Sequence, residues 1–210
     1  AGAAAGTLGL VGHAQQSPGG GVGAAGRPRS GAEFITPDAQ SAIDNGLDFL
    51  ARTQLADGSF PGRGDYGPNG ATVGVAALCG LALMAGGHQP GRGKYGKQVA
   101  RVVDYVAGMA HGPMPGFLTA PESQRVGLAT NPGPIYSHGF ATLFLAEVCG
   151  MLPDQARQKR VRAALELAVG FTVSAQNREG GWRYEPRAAH PDVSGTPAQK
   201  LALRAAKNAG

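Results

Sequence analysis

Apolar positions recur along the chain in two alternating patterns, and both patterns are helical. Ile43, Leu47 and Leu50 follow one another at four- and three-residue spacing, with Asp44, Asn45 and Asp48 on other faces, so a half-exposed amphipathic helix is expected. Its start is written in Thr36-Pro37-Asp38: a capping hydroxyl, a proline at the first helical position, and a carboxylate facing the positive end of the helix dipole. The next run, Ala71–Ala85, is apolar on every side. It is too short to span a membrane, so it should be buried all round and line the inside of a two-layer helical assembly.

The alternation then repeats. Val99, Val102, Val103, Val106 and Met109 form a one-sided stripe, and Phe140–Met151 is an apolar run broken by Glu147. Val161, Leu165, Ala168 and Phe171 mark a third amphipathic helix, and a third inner helix should run from Thr196-Pro197 to about Lys207, with Gly210 as its C-cap. A repeat of about 60 residues built this way predicts an all-α fold, a partial α/α toroid of three helical hairpins with alternating outer and inner helices. One such hairpin cannot bury its own apolar face. Three make an arc with an exposed inner helix at its end, so a fragment of a larger ring, or a chain that needs a partner, is expected.

A short motif follows the first and third amphipathic helices: Gln54, Gly58 and Phe60 in one place, Gln176, Gly180 and Trp182 in the other. A glutamine amide ties helix ends together, a glycine permits a tight turn, and an aromatic ring stacks on the neighbouring repeat, so the motif reads as a structural staple. Gln176 to Trp182 matches the QxxxGxW repeat of the squalene-hopene cyclase and oxidosqualene cyclase superfamily, and Gln54 to Phe60 resembles a second copy with Phe for Trp. The resemblance extends through the helices that follow each motif and covers most of residues 35–210. Tyr136-Ser137-His138-Gly139-Phe140 and Gly86-Gly87-His88 resemble a subset of prenyltransferase and squalene-oxidase repeat proteins, often exported and without an assigned activity. What the resemblance implies is first a fold and only then a chemistry.

The cyclase chemistry that it implies needs an Asp-x-Asp-Asp cluster to protonate an alkene. The matching segment here is Asp192-Val193-Ser194-Gly195, in which only the first aspartate stands. Asp192 is a candidate acid or a helix cap. His138, with Tyr136, is the other candidate, either an acid-base group at a cavity mouth or a histidine that bonds the backbone. The zinc site of the protein prenyltransferases and the Cys-Gly-Glu-Gln thioester of the complement toroids have no counterpart, so neither metal nor cofactor is expected. Two readings stand: a toroid whose apolar inner face holds a hydrophobic, isoprenoid-like ligand or docks a protein partner, and an isoprenoid cyclase or prenyltransferase-like enzyme completed by repeats outside these residues.

Composition changes this picture little. The chain has 210 residues, 42% of them hydrophobic and 16% charged, which fits a globular chain; its 35 glycines punctuate connections. The formal charge of +5 is scattered apart from Arg157, Lys159, Arg160 and Arg162, and no aromatic residues interleave with these, so a solvated face is expected and nucleic acid is not. Cys79 and Cys149 sit in apolar helices and read as buried small hydrophobes. Residues 1–30 divide from the folded part at 31–210: Ala3–Val11 with Gly12-His13-Ala14 resembles the tail of a secretory signal, and Gln15–Ser30 a Gly/Pro/Ser-rich linker. Export to the periplasm or beyond is the expectation, with a cytoplasmic protein behind a low-complexity leader as the alternative.

Overall fold

The computed structural model describes residues 35–61, 73–120 and 134–210. The signal-like segment, the linker, most of the loop to Gly70, and Ala71 and Thr72 at the expected start of the second helix lie outside the described residues. Among the described residues there are six α-helices: α1 Pro37–Thr53, α2 Val73–Ala85, α3 Gly96–Gly108, α4 Pro134–Val148, α5 Gln155–Ala175 and α6 Gly195–Asn208. A 3-10 turn, Met109–His111, extends α3. There is no strand among them, only an isolated bridge between Gln89 and Arg92, so the chain is all-α as its periodicity predicts. None of these helices is long and apolar enough to cross a membrane.

The chain divides into two compact units, Ala1–Gly46 and Leu47–Gly210. In the first, Thr36 Oγ1 accepts the Ala39 amide at 3.1 Å and Pro37 opens the helix, as the capping signal requires. Ile43 is 43% exposed there, so the stripe that begins α1 is not covered.

In the second unit the helices pack in a regular order. α4 lies most extensively against α6 and next against α2; α2 also meets α3, α4 meets α5, and α3 meets α5. Close approach in the α2–α4–α6 row depends on small residues: a Cβ on Gly74 would lie 2.7 Å from Ser137 Cα, and one on Gly139 would meet Gln199 and Ala198. Ser137 Oγ accepts the Gly74 amide at 2.7 Å, and Gln199 Nε2 donates to the Ile135 carbonyl at 2.7 Å. The first bond satisfies an amide in the first turn of α2, where the helix has no partner of its own, and the second ties α6 to the first turn of α4.

Several sequence expectations need correction. α2 is not buried all round: Val75 is 39% and Leu78 44% exposed, because neighbours cover its sides and leave one face open. The apolar run Phe140–Met151 overshoots its helix: α4 runs from Pro134 to Val148, with Tyr136 and His138 in its first turns. The basic run in α5 is not a solvated face alone, since Arg157 and Arg160 both bind Asp104 of α3, at 2.9 and 3.2 Å. Gly210 has the expected left-handed φ of +93° but follows Ala209, which occupies the cap itself. Cys79 and Cys149 are both free and half-buried.

Candidate functional site

The glycine turns fix where everything else sits. After α1, Gln54 Nε2 donates to the Gly58 carbonyl at 3.2 Å and to the Gln98 carbonyl of α3 at 3.1 Å. Gly58 has φ +94°, and a Cβ there would lie 2.3 Å from the Arg101 carbonyl oxygen, so only glycine brings this turn onto the next helix. After α5, Gln176 Nε2 donates to the Gly180 carbonyl at 2.7 Å, and Gly180 has φ +86°. Trp182 is buried and its Nε1 donates to the Thr172 carbonyl at 2.8 Å. It packs with Phe117, Ile135 and Ala175 in one buried cluster, and Phe60, its counterpart in the first motif, is buried too.

A third turn of this kind follows α3, and the sequence reading missed it. Gly116 has φ +81°, and its Cβ would lie 2.3 Å from the Leu167 carbonyl of α5, the geometry that Gly58 makes with Arg101. Gly112 stands where the others have glutamine, and the buried Leu118 stands where they have Phe60 or Trp182. Only the spacing of Gly58, Gly116 and Gly180, about one repeat apart, carries the signal.

His138 is fully buried beneath this middle turn. Its Nδ1 accepts the Leu118 amide at 3.2 Å, and Nε2 lies 2.8 Å from Thr172 Oγ1, which itself donates to the Ala168 carbonyl. That chain of donors makes the ring the neutral Nε2–H tautomer. Burial pushes its pKa down to about 3, with the Ala168 carbonyl opposing the shift. Both nitrogens are engaged, and Phe117 and Phe171 pack edge-to-face with the ring, their centroids 5.6 and 5.0 Å away. The ring joins the middle turn, α4 and α5; as placed, it has no free nitrogen to offer a substrate.

Tyr136 and Asp192, by contrast, come together at the start of α6. Asp192 Oδ1 accepts the amides of Ser194 at 2.7 Å and Gly195 at 3.3 Å, which is the capping role weighed for it. The Ser194 hydroxyl also donates to Oδ1 and is bonded to the Tyr136 hydroxyl, while Tyr184 donates to Oδ2 at 3.4 Å. The Ser194 hydroxyl and amide, then the Gly195 amide and Tyr184, hold the carboxyl below the usual range. An exposed aspartate of that kind is ionised at neutral pH and has no proton to give an alkene.

An open apolar stripe runs away from this cluster. On α4, Tyr136, Phe140, Leu143 and Glu147 share one face at four-, three- and four-residue spacing, and all are half-buried. Val75 and Leu78 lie on α2 and Leu201 on α6, the two helices packed most extensively against α4. Val75, Leu78 and Leu201 are 39 to 51% exposed. Towards the other end the stripe turns polar, with Glu147 on α4, whose carboxyl burial holds above its ordinary value, and Arg204 on α6. The stripe is therefore amphipathic along its length: hydroxyls and a carboxylate at one end, apolar side chains between, a half-buried carboxyl at the other. No group of His, Cys, Asp and Glu among the described residues is placed to hold a metal ion.

Comparison of the chain with family models, with curated proteins and with solved structures finds no match.

Proposed function

We propose that this chain is an α/α-toroid repeat protein, related in architecture to the squalene-hopene cyclases, whose inner face holds a hydrophobic, isoprenoid-like ligand without cyclising it. α2, α4 and α6 serve as its inner helices, and α1, α3 and α5 as its outer ones. The observation that carries the reading is the set of exposed or half-buried apolar side chains Val75, Leu78, Phe140, Leu143 and Leu201 on three neighbouring helices. Apolar surface left open on three neighbouring helices costs stability unless something covers it, and a long hydrocarbon chain matches its shape and chemistry. The Tyr136–Ser194–Asp192 hydrogen bonds at one end suit a terminal hydroxyl. Because Asp192 is ionised and His138 enclosed, the reading assigns binding in place of cyclisation. The signal-like segment ahead of the fold supports an exported setting for it.

Farnesol titrated against the protein with bound anilinonaphthalene sulfonate tests this. Saturable displacement of the dye, lost in Leu201→Asp and Phe140→Arg, is expected, and squalene incubated with the protein should be recovered unchanged. Displacement that is non-saturable, or unaltered by both substitutions, sinks the reading. Cyclic products that disappear in Asp192→Asn establish the enzyme instead.

A further inference from the structure

The hydroxyls at the Tyr136 end of the inner face are not free to turn, because their protons are drawn to one carboxylate. Asp192 Oδ1 accepts the Ser194 amide, the Gly195 amide and the Ser194 hydroxyl. An ionised carboxylate only accepts, so the Ser194 proton lies on the Asp192 side, and the Tyr136 hydroxyl makes its bond by donating to the Ser194 oxygen. Tyr184 donates to Oδ2 from 3.4 Å. The protons run inward along Tyr136 and Ser194 to Asp192, and the oxygens of the cluster turn lone pairs outward.

Charge points the same way. The bonds that hold the Asp192 carboxyl below its usual range come from hydroxyls and amides, and no basic side chain is among them. Arg183 lies over the Tyr184 ring, 5.3 Å from its centroid, where it faces the π cloud. Oδ2, with one long bond, keeps acceptor capacity to spare. Tyr136 and Tyr184 stand side by side, their ring centroids 6.1 Å apart, and Tyr136 shares its face of α4 with Phe140 and Leu143. A hydrocarbon chain laid on that face brings its end group to oxygens that accept and to an uncompensated negative charge.

We propose that this end of the inner face selects its ligand by head group: it takes a neutral isoprenoid alcohol, whose hydroxyl donates to Asp192 Oδ2, and turns away the diphosphate of the same chain. A diphosphate brings acceptors and like charge to a site that offers the same, and leaves Oδ2 without a donor. A bare hydrocarbon avoids the repulsion but gains no bond. The proposal rests on the hydrophobic-ligand reading above and adds to it the class of the polar end.

Displacement of bound Nile red, an uncharged dye, from the 210-residue chain by farnesol, farnesene and farnesyl diphosphate tests it. Farnesol should act at concentrations about tenfold below the other two, the worth of one hydrogen bond to a charged group. Asp192→Asn keeps a cap for α6 but replaces the carboxylate with an amide that donates as well as accepts, so the preference over farnesyl diphosphate should shrink by about fivefold or more, with farnesene unaffected. Farnesene or farnesyl diphosphate displacing the dye as well as farnesol, or an Asp192→Asn protein with its preference intact, overturns the head-group proposal and leaves the hydrophobic-ligand reading in place. Failure of all three compounds to displace the dye overturns both.

Discussion

The first and third glycine turns carry the same glutamine and glycine at the same spacing, yet one is an interior joint and the other a surface. Leu55 N to Ser59 O and Asn177 N to Gly181 O are both 2.9 Å, and Gly58 N to Leu55 O and Gly180 N to Asn177 O both 3.1 Å. The local fold is therefore independent of the neighbour. In each turn an aspartate or asparagine, Asp57 or Asn177, helps by accepting backbone amides. What differs is energy that only a neighbour supplies: the carbonyl of Arg101 against Gly58, and Gln98 within reach of Gln54.

Mutations sharpen that contrast. The largest loss is expected at Trp182→Ala, about 3–5 kcal/mol by urea denaturation, because the ring is buried against Phe117 and Ile135 and its Nε1 bond to Thr172 goes with it. Gly58→Ala and Gly116→Ala should each cost about 2–4 kcal/mol, the sum of left-handed strain and a backbone that must move away from a 2.3 Å contact. Gly180→Ala in the dilute protein should cost only the strain, about 1–2 kcal/mol. Equal losses at Gly58 and Gly180 would mean that the third turn is covered in solution, and the comparison would collapse.

His138 gives a pH test of the middle turn. Its folded pKa lies near 3, below the ordinary 6.5, so between those values the unfolded chain binds the extra proton. Its contribution is complete above about pH 6.5 and should fall by about 1.4 kcal/mol per pH unit as the pH drops towards 3. His138→Gln, compared by denaturation at pH 7 and pH 5, should remove that part of the slope; an unchanged slope would place the ring in contact with water. The smallest effects belong to the glutamines. Gln54→Ala, which frees the Gln98 carbonyl, is expected to cost about 1 kcal/mol more than Gln176→Ala in thermal melts of the monomer.

Much of this was legible in the chain. Periodicity located the amphipathic helices, Thr36 and Asp192 were readable as caps, and two of the three turns declared themselves through glutamine, glycine and an aromatic ring. The middle turn was hidden because its glutamine position is Gly112 and its aromatic position Leu118, residues with no signature outside their place in the fold. The pairing of Arg157 and Arg160 with Asp104 was hidden for another reason: charge patterns report what is near in sequence, and these partners are some fifty residues apart.

The sequence by itself determined the helices, because a helix needs only local bonds and an apolar face whose period matches its turn, and it determined the turn geometry, which the Gln-to-Gly hydrogen bond closes within five residues. The tertiary structure alone decided exposure. It sealed His138, placed Tyr136 and Asp192 on one hydroxyl of Ser194, left Val75 and Leu78 open on a helix that is apolar on every side, and left Gly180 facing no neighbour. The physical reason is that burial is a property of what other segments cover, and no residue carries that information in its own neighbourhood along the chain.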